Sequence, residues 1–185
     1  MKRILIAAVT ITVAVTTPSG TAAAQRRFVP FAGGGLASGT GDLSQGTDNG
    51  WLAFAGVDVP LGLTPGLTVG LTGSYSHLPY QGAFGEAMNL PAVFGEVGYV
   101  IAAKSSSIVK PYVRGGAGVQ MRKYDPGSTG YRTQSDGGLA FSAGGGLQFL
   151  VSSTALFVGA HFVSDADAGV LGFHGGVAWP GRATK

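Results

Sequence analysis

One pattern constrains this chain more than any other. Apolar residues recur at every second position through segment after segment, and the charges in those segments take the other parity. A strand points successive side chains to opposite faces, so a period of two describes a sheet with two different surfaces. Leu67, Val69, Leu71 and Tyr75 share one parity, and Thr68, Thr72, Ser74 and Ser76 the other. Val109, Val113, Ala117, Val119 and Met121 alternate with Lys110, Tyr112, Arg114, Gln120 and Arg122. Val93, Val97, Tyr99 and Ile101 stand opposite Glu96, and Trp51, Val57, Val59 and Leu61 opposite Asp58. Leu139, Phe141, Leu147, Phe149 and Val151 stand opposite Ser142 and Gln148. Only the first segment, with Arg27 and Pro30 around Phe28 and Phe31, leaves its facing open.

Eight such segments are predicted as strands, over 27–37, 50–61, 67–78, 89–101, 108–122, 138–151, 155–164 and 169–179. No capping box leads into a 3.6-residue repeat, so no helix is expected. The connections alternate in length. Residues 38–49, 79–88 and 123–137 make long links; 62–66, 102–107 and 152–154 make short ones rich in Ser, Thr, Pro and Gly; 165–168 is brief. Aromatics gather near the segment ends. Trp51, Tyr75, Tyr80, Tyr124 and Tyr131 lie towards the long links, and Tyr99, Tyr112, Phe149 and Trp179 towards the short ones, as two interfacial girdles would.

Composition says what solvent this sheet meets. Charged residues are 11% of the chain, against about 25% in soluble domains. A water-soluble fold so poor in charge would expose large apolar patches. A helical membrane protein would carry long apolar runs, and beyond residue 24 none is long enough. A closed barrel with one face to lipid satisfies both facts. An Arg or Lys facing the bilayer centre costs about 2–4 kcal/mol, so the lipid face must be free of charge. The fold class expected is therefore all-β: an eight-stranded antiparallel up-and-down transmembrane β-barrel, turns on the periplasmic side.

The first residues read as a cleavable signal peptide. Met1-Lys2-Arg3 is basic, Ile4 to Val15 apolar, and Ala22-Ala23-Ala24 offers an A-x-A cleavage site before Gln25. The domains expected are signal peptide 1–24 and barrel 25–185. Cys is absent, which excludes disulfides, thiolate metal sites and a lipid-modified cysteine. Removing Lys2 and Arg3 leaves ten basic against nine acidic residues, with no cluster suited to nucleic acid. The glycine groups (Gly33 to Gly35, Gly115-Gly116, Gly144 to Gly146, Gly175-Gly176) lie inside strands, so they cradle no phosphate. They make room for large lumen side chains.

The last segment alternates Leu171, Phe173, Gly175, Val177 and Trp179 and ends on an aromatic. With this pattern and strand count, the chain resembles the OmpA-like small outer-membrane β-barrel superfamily over nearly all of residues 25–185. The resemblance implies location in the bacterial outer membrane, a monomer in contact with outer-membrane lipid, and dealings with the barrel-assembly machinery during biogenesis. Phe173, Val177 and Trp179 would be the assembly signal, although Pro180 to Lys185 follow the aromatic.

Three constellations are candidates for chemistry. Asp58, Glu96, Lys110, Arg114 and Arg122 are expected as an ion-pair network in the lumen. If segments four and five pair with positions summing to 209, Glu96 lies opposite Val113 and meets Arg114. Eight strands enclose just enough width for side chains, which favours a plugged interior. His161 and His174 fall opposite each other if segments seven and eight pair with a sum of 335. Two imidazoles alone make a poor metal site, so a polar pair is expected, with no metal and no cofactor. His161-Phe162-Val163-Ser164 resembles the His-x-Ser pair of lipid A deacylase barrels, but His-x-x-Ser sends the two to opposite faces. The loop charges Asp42, Asp48, Glu86, Asp125, Arg132 and Asp136 lack the spacing of a calcium loop. The function expected is a structural or interaction barrel with no catalytic activity. The alternatives are a narrow conduit for small apolar molecules and, behind it, a lipid A deacylase-like hydrolase.

Overall fold

In the computed structural model the alternating segments become eight strands: β1 (Val29–Gly41), β2 (Gly50–Pro60), β3 (Leu67–Pro79), β4 (Ala87–Val100), β5 (Val109–Asp125), β6 (Gln134–Val151), β7 (Thr154–Ser164) and β8 (Ala168–Ala178). Each is antiparallel to its neighbours, and β8 pairs with β1 to close the barrel. The structure describes residues 28–62, 64–82, 86–101, 107–125, 134–165 and 168–179. The expected signal peptide, Tyr131, Arg132 and Pro180 to Lys185 lie outside them.

The two parities part as the sequence demands. Leu71, Val97, Val113, Val119, Leu139, Phe141, Val158 and Phe173 are exposed on the outside. Phe94, Glu96, Gln120, Ser142 and Phe157 are buried inside. The first strand is now settled. Phe31 and Ala37 point inward at 4% and 1% exposure, while Leu36 points outward at 68%. The outer belt carries no charge until the loop end of β5. That strand runs three residues further than expected, which brings Lys123 and Asp125 onto the outward parity. Lys123 and Asp125 follow Met121, the last apolar residue of that face, at the loop end of the strand.

Two registers differ from expectation. β4 and β5 pair with a sum of 212, so Glu96 faces Gly116 and not Val113. β7 and β8 pair with a sum of 333, so His161 faces Gly172 and His174 faces Gly159. The histidines are diagonal neighbours, their ring centroids 6.3 Å apart. Register follows the turn's geometry, which the ends of the alternating segments do not report.

Glycines admit the lumen rings. A Cβ on Gly33 would stand 2.5 Å from Phe54 Cζ, and one on Gly176 2.5 Å from Phe157 Cζ. Towards the long loops the lumen is aliphatic: Ala37, Leu52, Leu78, Leu90 and Val170 pack together with Leu43 against them. Leu43 belongs to a 3-10 turn, Asp42–Gln45. Thr47 caps that turn by donating its hydroxyl to the Leu43 carbonyl at 2.7 Å.

Candidate functional site in the lumen

Between the aliphatic layer and the short-turn end, the inward face brings charge together. Glu96 of β4 is the centre. Its side chain is 1% exposed and accepts a hydrogen bond from Ser142 Oγ of β6 at 2.8 Å. The Thr72 hydroxyl of β3 donates to its other oxygen, Oε2. Arg114 Nη2 of β5 also reaches Oε2, at 2.8 Å. The same nitrogen lies 3.4 Å from Asp58 Oδ1 of β2 and 3.3 Å from Thr72 Oγ1. The guanidinium stacks over the Phe31 ring, 4.6 Å from its centroid. Alternation alone puts these side chains inside; barrel closure brings five strands to one point.

His161 Nε2 stands 3.6 Å from Glu96 Oε1, too far for a hydrogen bond. His174 Nε2 lies 3.2 Å from the Tyr112 hydroxyl. His161 Nε2, His174 Nδ1 and Arg114 Nε are buried atoms with no hydrogen-bond partner among the described residues.

Two expected members of the network are elsewhere. Arg122 sits towards the loop end and grips Asp165, its Nε 2.8 Å from Oδ2, with Nη2 on Oδ1. Lys110 keeps the inward parity but makes no ion pair among the described residues; its strand partner is Gln148. Arg122 is eight residues from Arg114, over 25 Å along a strand at about 3.3 Å each, so one cluster cannot hold both. Tyr112, expected in the short-turn girdle, faces the lumen instead, while Trp51, Tyr75, Tyr99 and Trp179 are exposed outside. Phe173 and Trp179 of the expected assembly signal also face outward. His161 and Ser164 point to opposite sides, and Ser164 Oγ donates to the carbonyls of Asp165 and Ala168.

The sequence reading missed most of the lumen's aromatic wall, Phe31, Phe54 and Phe157, which Tyr112 completes. The available signal was parity within a strand, of Phe54 with Asp58 and of Phe157 with His161. The wall surrounds a cavity of about 190 Å³ on the short-turn side, whose lining also includes Asp58, Glu96 and Arg114. Among the described residues, no group of three or more His, Cys, Asp or Glu side chains is set to hold a metal.

A closed antiparallel sheet with an apolar belt outside and its ion pairs inside is a transmembrane β-barrel. Solved structures agree on the architecture. Neisserial surface protein A is similar at a TM-score of 0.65 and 14% identity, over 83% of this chain and 97% of that one. Ail, the attachment invasion locus protein of Yersinia pestis, is similar at 0.53 and 14%, over 82% and 95%. The N-terminal β-barrel domain of Pseudomonas aeruginosa OprF is similar at 0.53 and 14%, over 83% and 97%. No protein-family model matches the chain, and no curated protein matches its sequence. The chain has the fold of these small outer-membrane barrels. Its charge-free belt is the surface such a barrel presents to lipid in the bacterial outer membrane.

Proposed function

We propose that this protein is a structural or interaction barrel of the outer membrane, monomeric and without catalytic activity, whose lumen does not conduct. The observation that carries the reading is the stack across the lumen. An aliphatic layer of Ala37, Leu52, Leu78, Leu90 and Val170 lies above a buried Glu96–Arg114 pair. Water crossing the barrel would have to part both. Outer-membrane lipid covers the belt, and the outward Phe173, Val177 and Trp179 present the assembly signal to the barrel-assembly machinery. The hydrolase alternative lacks its geometry, since His161 and Ser164 face opposite ways. Planar-bilayer recording tests the reading. Silent bilayers are expected once insertion is verified by heat-modifiable gel migration, and steady single-channel steps would overturn it.

The cavity favours a second reading, a conduit for small apolar molecules. It would require the aliphatic layer to open, and uptake of an apolar solute into proteoliposomes measures that.

A further inference from the structure

The cavity on the short-turn side is the part of the lumen that closure does not explain. On the loop side an aliphatic layer packs together; here about 190 Å³ stays open beside a charge cluster. Three observations on its wall converge.

The first is a charge imbalance. Asp58 and Glu96 share one guanidinium. Glu96 takes most of it and accepts two hydroxyl donors besides. Asp58 has only the 3.4 Å contact with Arg114 Nη2. Two carboxylates thus share one guanidinium, and Asp58, at the cavity wall, is the less satisfied of the two. A half-buried carboxylate held by one long ion-pair contact gains from a further cation, so this wall suits one. Lys110, the nearest spare cation on β5, is not among the residues lining the cavity.

The second is the aromatic wall of Phe31, Phe54, Tyr112 and Phe157. Ring faces attract a desolvated cation, and Arg114 over Phe31 already uses that attraction here. The third is the pair His161 and His174, which line the same space; His161 Nε2, 3.6 Å from Glu96 Oε1, and His174 Nδ1 are buried without a hydrogen-bond partner among the described residues. A neutral imidazole offers one acceptor nitrogen, and a primary ammonium has three donors to place. The remaining orphan, Arg114 Nε, is itself a donor, which an accompanying water would satisfy.

We propose that the short-turn half of the lumen is a binding site for a small organic ammonium with an apolar, ring-sized body. The ammonium meets Asp58 and the imidazoles, and the body packs against the aromatic wall. The ligand enters from the short-turn side, because the aliphatic layer closes the other. The site needs no conduction: a barrel that conducts yet still prefers the ammonium would refute the closed lumen and leave this proposal standing.

Calorimetric titration of the full chain, folded in maltoside micelles, tests it with three probes: 2-phenylethylammonium, 2-phenylethanol and phenylacetate. The ammonium is expected to bind once per barrel and at least about tenfold more tightly than the alcohol. Asp58→Asn, checked for folding by gel migration, is expected to erase that preference. Equal binding of ammonium and alcohol would overturn the proposal in favour of a plain apolar hole. Tightest binding of phenylacetate would overturn it in favour of an anion site at Arg114. No heat from any probe would leave the space to water and overturn it too. If Asp58→Asn does not fold, the three probes on the native chain decide by themselves.

Discussion

The two halves of the lumen are built on the same inward parity of the same strands, yet they solve different problems. On the loop side, Ala37, Leu52, Leu78, Leu90 and Val170 fill the interior with aliphatic carbon, and Leu43 reaches in from a 3-10 turn. On the short-turn side, rings and charges leave space: Phe31, Phe54, Tyr112 and Phe157 surround a cavity also lined by Asp58, Glu96 and Arg114. Aliphatic side chains interdigitate and need no partner beyond contact. Charged and aromatic groups demand distances and angles, so they cannot also fill every gap. The difference teaches that an eight-stranded barrel can be sealed at one level and open at another.

The sharpest way to break the comparison is to remove the charge centre. Glu96→Ala leaves Arg114 with only the distant Asp58 and the Thr72 hydroxyl, and deprives Thr72 and Ser142 of their acceptor. Losing one partner of a buried pair costs about 3–5 kcal/mol, so the urea midpoint should fall steeply. Replacing both partners, as Glu96→Leu with Arg114→Met, should recover most of that loss. A midpoint unchanged in Glu96→Ala would mean that the cluster does not stabilise the barrel.

A matched pair of enlargements separates the halves by packing. Ala37→Val adds two methyl groups to a filled layer where Ala37 is 1% exposed. Overpacking a filled core costs about 1–3 kcal/mol. Ala178→Val grows beside the cavity and should cost less than about 1 kcal/mol, because there is room to take it. Equal losses in urea titrations of the two would show that the halves are packed alike.

The smallest effect lies at the short-turn rim. Ser152, between β6 and β7, has φ 57°, a left-handed backbone that suits glycine. Ser152→Gly should raise stability by at most about 1 kcal/mol and leave ligand binding in the cavity untouched. A fall in the urea midpoint would mean that the serine side chain anchors this turn.

Much of the barrel was legible in the sequence because its physics is local. Period two and the exclusion of charge from lipid assign Glu96, Arg114 and Asp58 to the interior residue by residue. The pairing of particular strand positions was less legible. Sums of 209 and 335 became 212 and 333, since turn residues set the register and segment ends are soft. The strand β1 had too few marked positions to choose a face until β2 and β8 held it on both sides. The partner of Arg122 was hidden because Asp165 stands just beyond β7, outside any alternation.

By itself the sequence determined that eight strands form, which side chains lipid must not meet, and so which residues share the interior. Those choices follow from the two-residue repeat and the cost of charge in hydrocarbon, both read one strand at a time. Only the closed barrel decided which interior residues touch. Thr72, Glu96, Arg114, Ser142 and Asp58 come from five strands, and their distances depend on stagger and closure summed around the whole sheet. The split of one lumen into a sealed half and an open half has the same origin.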